Sequence, residues 1–172
     1  NGILGLTRLL ADSEVTPEQA EYLALVDNSA RILLTLLNDV LDFSKIEAGK
    51  MAVEAIPFQL DRWLDETAAP YLVAAREKGL RMQVRTEGRL PPAVIGDPGR
   101  LRQVVTNLLS NAIKFTDRGE VELAVIERGA QGSQVRLRFE VSDTGVGISL
   151  DKQATVFGAF DQADTSVTRK YG

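Results

Sequence analysis

The stretch DPGRLRQVVTNLLSNAIKFTDRG, residues 97–119, decides the fold. Asp97-Pro98 pairs a capping side chain with a first-turn proline, so a helix opens there and runs to about Phe115. Leu101, Val104, Val105, Leu108 and Ala112 recur at helical steps and form the face expected to enter a core. Beside it runs a polar line, Asn107, Asn111 and Lys114, spaced by four and then three residues. A solvated helix face is usually filled by Glu, Lys and Arg, which form helices better than Asn does. The two Asn are therefore either incidental or part of a site. In a site, amide oxygens would meet a hard cation and the ammonium would meet phosphate.

On both sides of this helix the period changes from helical to alternating. Downstream, Val121, Leu123 and Val125 form one half-buried strand, and Val135, Leu137, Phe139 and Val141 form another. Upstream, Leu80, Met82 and Val84 alternate with Arg81, Gln83 and Arg85. A helix is expected over 60–78, stopped by Gly79, and a strand over 51–58; Pro91-Pro92 breaks the chain. Strands with a single apolar face predict a mixed sheet covered by helices on one side and open on the other. Directly after the last strand comes Asp143-Thr144-Gly145-Val146-Gly147-Ile148. It reads either as a plain turn or as a loop whose glycines bring backbone close to a ligand while Asp143 accepts an amino group's N–H. Phe157, Phe160 and the polar stretch 161–172, with Arg169 and Lys170, suit either a surface loop or a flap closing on phosphates.

The N-terminal third is purely helical. Residues 1–11 carry Ile3, Leu6 and Leu10 on one face, and 12–15 form a turn. Thr16-Pro17-Glu18-Gln19 reads as a capping box opening a helix to about Ala48. Leu23, Val26, Ala30, Leu33, Leu37 and Val40 alternate steps of three and four, a coiled-coil-like seam, while Ile32, Leu34, Leu36 and Leu41 widen it. One short and one long helix cannot close a bundle, so a homodimeric four-helix bundle is expected; the alternative is packing on the chain's own second domain. Gly49 ends the helix, giving domains of 1–49 and 50–172.

The 172 residues carry 20 Lys and Arg against 24 Asp and Glu, a net charge of −4, which argues against a nucleic-acid partner. No apolar run is long enough for a bilayer span, so a soluble, cytoplasmic domain is expected, with membrane contact only through other parts of its parent. With no Cys and no His, thiolate metal sites and the commonest general base are absent, and any metal should be a hard cation such as Mg²⁺.

Taken in order, these segments resemble the sensor histidine kinases, most closely the hybrid type. NGILG at 1–5 is similar to the segment just after that family's phosphoacceptor motif, and LLNDVLDFSKIEAGK at 36–50 to the end of its second dimerisation helix. Residues 97–119 resemble the N box, DTGVGI the first glycine box, VFGAFDQAD at 156–164 the F box, and TRKYG at 168–172 the start of the second glycine box. The resemblance implies an α+β fold: a helical hairpin forming the dimeric bundle, then a two-layer α/β sandwich that binds ATP, as in the gyrase and chaperone ATPases. It implies that Asn111, with Asn107 one turn back, holds Mg²⁺, that Lys114 contacts phosphate, and that Phe115 lies against the nucleotide. Asp143 would take the adenine amino group, with Gly145, Gly147 and Ile148 shaping the pocket. Phe157 and Phe160 would anchor the lid, Arg169 or Lys170 would reach the terminal phosphate, and Gly172 would belong to the ATP site.

The implied activity is autophosphorylation of a histidine, expected about one helical repeat upstream of Asn1, and passage of the phosphoryl group to an aspartate of a response-regulator receiver domain. Residues 1–172 alone are then expected to be inactive, and both ends are expected to be cuts. Asn107 stands where the hydrolysing relatives carry a water-activating Glu, so little hydrolysis is expected. The alternative is a degenerate dimeric scaffold that docks a receiver without catalysis.

Overall fold

A computed structural model describes residues 2–153, and the chain divides into two compact units, Asn1–Ala52 and Val53–Gly172. In the first unit, α1 (Gly2–Ala11) and α2 (Pro17–Glu47) form a hairpin. The capping box is complete: Gln19 N–H donates to the Thr16 hydroxyl at 3.2 Å, and Thr16 N–H donates to the Gln19 side chain at 2.9 Å. Val26, Leu33, Leu37 and Val40 of the expected seam remain exposed on the hairpin.

The second unit begins with β1 (Ile56–Gln59), followed by α3 (Leu60–Glu77), β2 (Arg81–Glu87), β3 (Ala93–Gly96) and α4 (Pro98–Phe115). It continues through β4 (Glu120–Gln131), β5 (Gln134–Asp143) and the short α5 (Leu150–Gln153). β2 runs parallel to β4, and β4 pairs antiparallel with β5, giving a mixed sheet in the order β2-β4-β5. The register sets Val84, Leu123 and Val141 side by side on one face. That face packs on α3 and α4 through Leu60, Trp63, Leu64, Val105 and Leu109. The opposite face carries the charges, including Arg85–Glu122 at 3.2 Å and Arg138–Glu140 at 2.6 Å. Ala124 and Ile126 are nonetheless buried on it, each flanked in register by long charged residues, whose stems can cover apolar neighbours.

The structure differs from the sequence expectation in two places here. The first strand starts only at Ile56 rather than residue 51, because its antiparallel partner β3 is four residues long and pairs Ile56 with Gly96. β3 itself was not expected. It fits between Pro91-Pro92 and the Asp97 cap, too short for an alternating pattern to be read.

α4 is fixed at its start by two groups. Asp97 Oδ1 accepts the Arg100 N–H at 2.9 Å, and Oδ2 accepts the Glu54 N–H at 3.1 Å, so one carboxylate caps the helix and ties down the lead-in to β1. Trp63 Nε1 on α3 donates to the Pro98 carbonyl at 3.0 Å. The Trp63 ring stands edge-on to Phe139, and Arg102 lies over it at 5.6 Å. The N–H groups of Arg100 and Glu54 hold the Asp97 carboxyl below its ordinary range. A carboxyl depressed in the folded state adds stability above its unfolded pKa, and that contribution fades as pH falls through the folded value. Acid denaturation of this unit should therefore soften in Asp97→Asn, which keeps a capping oxygen but does not titrate. A wild-type-like acid limb in the variant, measured by circular dichroism against pH, would contradict this.

Candidate functional site

The last turn of α4 and the loop after β5 meet in one joint. A helix leaves its final carbonyls without intrahelical partners. The Phe115 carbonyl, the last of α4, accepts the Val146 N–H at 3.3 Å. Gly145 lies so close that a Cβ there would sit 2.4 Å from the same oxygen and 2.8 Å from Asp143 Oδ1. Asp143 Oδ1 accepts the Gly145 N–H at 2.8 Å and the Thr116 hydroxyl at 3.4 Å. Thr116 is fully buried.

A second clasp stands beside the first. Thr144 N–H donates to the Glu120 carbonyl at 3.1 Å, and the Thr144 hydroxyl accepts the Glu120 N–H at 3.0 Å. Gly119, at φ 118°, passes that hydroxyl where a Cβ would be only 2.1 Å away. Two glycines thus permit the backbone contact, and two threonines hold it.

The sequence-predicted residues fall into three groups. Asn107, Asn111 and Lys114 are exposed along one side of α4, and the Lys114 ammonium lies 5.6 Å from the centre of the half-buried Phe115 ring. Asp143 ends β5, and Gly145, Gly147 and Ile148 lie in the loop that the joint fastens to Phe115, with Gly147 at φ 68°. Phe157, Phe160, Arg169, Lys170 and Gly172 lie outside the described residues.

The helix face needs a correction. Val104 and Leu108, expected in the core, are 58% and 39% exposed, whereas Val105, Leu109 and Ala112 are buried. The pairs Val104-Val105 and Leu108-Leu109 create two apolar stripes about 100° apart, and periodicity alone does not choose between them. The stripe left outside borders the two Asn. A groove of about 460 Å³ starts at Val104 and runs over Gly96, Asp97, Leu101 and Leu137, but its lining includes neither Asn111 nor Asp143.

Sequence reasoning did not single out Thr116, Gly119 or Thr144. Each is a small residue inside a motif segment, and its part depends on what it meets across the joint.

Two domain models and relatives aligned along all 172 residues place the chain in the histidine-kinase family. Residues 1–49 match the His Kinase A (phospho-acceptor) domain, and residues 96–172 match the domain of histidine kinase-, DNA gyrase B-, and HSP90-like ATPases. Over 172 residues the chain is 44% identical to the signal transduction histidine-protein kinase BarA of Escherichia coli K12 and 45% identical to the sensor protein GacS of Pseudomonas syringae pv. syringae. All of this chain aligns with each, yet it spans 19% of either relative. The crystal structure of full-length ShkA in complex with AMPPNP superposes with a TM-score of 0.75 at 37% identity, covering 95% of this chain and 34% of that one. The family and the α+β class expected from the ordered motifs are those found. The chain therefore carries a histidine-kinase dimerisation domain and an ATPase-type catalytic domain. Among the described residues, no helix is long and apolar enough to cross a membrane.

The joint gives a direct test. Gly145→Ala drives a methyl group into the Phe115 carbonyl, and crowding of this kind costs about 1–3 kcal/mol. Urea unfolding should show that loss, and unchanged stability would mean that the loop does not need its close approach.

Proposed function

We propose that residues 1–172 are the dimerisation and nucleotide-binding core of a kinase that transfers the γ-phosphoryl group of Mg²⁺-ATP to a histidine and then to an aspartate of a response-regulator receiver domain. The observation that carries this reading is the joint. It fastens a carboxylate suited to a purine amine beside the helix end that bears amide and ammonium groups suited to a metal triphosphate.

In this proposal Asp143 selects the base. Its Oδ1 is engaged by Gly145 N–H and the Thr116 hydroxyl, which leaves Oδ2 to accept the exocyclic amine of adenine. Guanine presents a carbonyl oxygen at that position and would be repelled. Phe115 packs against the nucleotide, Gly145 and Gly147 shape the floor, and Ile148 borders it. Asn111, with Asn107 one turn back, offers amide oxygens, and Lys114 offers an ammonium for phosphate.

These donors fit Mg²⁺, which takes few protein ligands and draws the rest of its oxygen shell from phosphates and water. Among the described residues no three His, Cys, Asp or Glu side chains gather into a rival metal site. When bound, Mg²⁺ would neutralise phosphate charge. Arg169 or Lys170 would supply a cation to the terminal phosphate.

The chemistry is a displacement at phosphorus. A histidine ring nitrogen forms the new N–P bond, the bond between the γ-phosphorus and the β–γ bridging oxygen breaks, and ADP leaves with that electron pair. Catalysis of this kind rests on positioning and charge stabilisation. Asn107 is a poor proton acceptor at neutral pH, so water is not activated and ATP waits for histidine. Residues 1–172 contain no histidine, so by themselves they should take up no phosphoryl group on histidine. The exposed seam of α2, with Val26, Leu33 and Leu37, supports a second copy of the chain as the partner of the hairpin, closing a four-helix bundle.

In the full-length protein, Asn111→Ala should lower Mg²⁺-ATP autophosphorylation by about 100-fold or more, the scale of a lost charge-stabilising group. Phosphohistidine formation at the wild-type rate, followed with radiolabelled ATP, would remove Asn111 from the site.

A further inference from the structure

The turn between α3 and β2 contains Lys78, which lies outside the motif segments 97–119 and 143–148. Its Nζ donates to the Ile113 carbonyl at 2.7 Å and to the Lys114 carbonyl at 2.9 Å. Both are among the last four carbonyls of α4, which the helix cannot satisfy. The Phe115 carbonyl is already met by Val146 N–H. Lys78 therefore supplies the cap for the two carbonyls before it, and it places an ammonium at the negative end of the helix dipole.

The contact spans 35 and 36 residues of sequence, so it is a tertiary tie rather than a local turn. It also completes a pattern. Near the start of α3, Trp63 donates to the first-turn carbonyl of Pro98. Just past the end of α3, Lys78 donates to the last-turn carbonyls. α3 and its following turn thus hold α4 at both ends. The held turn bears Asn111, Lys114 and Phe115, the residues assigned to metal, phosphate and nucleotide under the proposed function.

We propose that Lys78 is a positioning residue for the nucleotide site: it caps the end of α4 and keeps Asn111 and Lys114 in register with the loop after β5. This rests on the nucleotide-binding reading and adds a residue to it. Without the ammonium, the last turn frays and its Asn and Lys side chains spread over several orientations. The phosphate end of the ligand loses its fixed partners. Asp143 keeps its place, because it is anchored by β5 pairing with β4, with Val121 opposite it in register. Triphosphate and metal binding should therefore weaken while the preference for adenine over guanine persists.

The test compares wild type, Lys78→Met and Lys78→Arg in the full-length protein, with Mg²⁺ and AMPPNP or GMPPNP as probes in calorimetric titrations. Amide hydrogen exchange is read alongside over residues 111–115. Lys78→Met should weaken Mg²⁺-AMPPNP binding about 2- to 5-fold, the range of a favourable charge at an exposed helix end. It should speed exchange across the last turn of α4 and leave the AMPPNP-to-GMPPNP ratio unchanged. Lys78→Arg, which can serve two carbonyls, should restore most of the affinity; a merely structural loss of bulk would not be rescued by charge. Wild-type affinity in Lys78→Met, with saturable binding by the wild type, would overturn the role of Lys78 and leave the nucleotide site standing. If the wild type shows no saturable binding, the site itself falls and the role of Lys78 falls with it.

Discussion

The carbonyl of Phe115 is the last of its helix and has no partner within it, so the loop after β5 must satisfy it. Val146 N–H supplies the bond, and that bond brings the loop after β5 against the end of α4. A side chain larger than glycine at position 145 would close the gap the contact needs. The same short turn carries Asp143, whose Oδ1 is held by the loop's own N–H and by a buried threonine. A carboxylate at a strand end would otherwise be one flexible charge among many. Here it has a fixed orientation and stands at a fixed place relative to the helix that bears the asparagines. The hydrogen-bonding needs of a helix end and the geometry of the proposed binding site thus become one requirement.

The sheet provides the rigid side of that arrangement. β4 is central, with Val121, Leu123 and Val125 buried beneath α3 and α4, and it sets where β5 ends. The charged outer face contributes little to that rigidity, since exposed ion pairs are worth little individually. The first unit follows a different logic. Its two helices leave leucines and valines exposed along α2, and an apolar stripe of that extent needs a cover that one hairpin does not provide.

Much of this could be read from the residues, and the failures have physical causes. The helix caps were legible because a cap is a local event: Thr16 with Gln19, and Asp97 ahead of Pro98, each need only a few neighbouring residues. The alternating strands were legible because one face of the sheet is apolar and the other charged. β3 was missed because four residues between a proline pair and a cap cannot display a period. The face of α4 was misjudged because Val104-Val105 and Leu108-Leu109 fit two stripes equally well, and only the tertiary position of the helix chooses. Thr116 and Lys78 were invisible for a further reason. What they do is set by carbonyls and carboxylates brought to them from 27 to 36 residues away, and no local pattern encodes such a meeting. The ordered motifs named residues on both sides of the joint between α4 and the loop after β5, and the fold supplied the parts that hold that joint together.

The most direct test is a structure of the full-length protein with Mg²⁺ and AMPPNP. The adenine amino nitrogen should lie at hydrogen-bond distance, about 2.7–3.2 Å, from the Asp143 carboxylate. The metal should sit on the amide oxygen of Asn111. A nucleotide seated elsewhere, with Asp143 and Asn111 both in solvent, would contradict the assignment of the site.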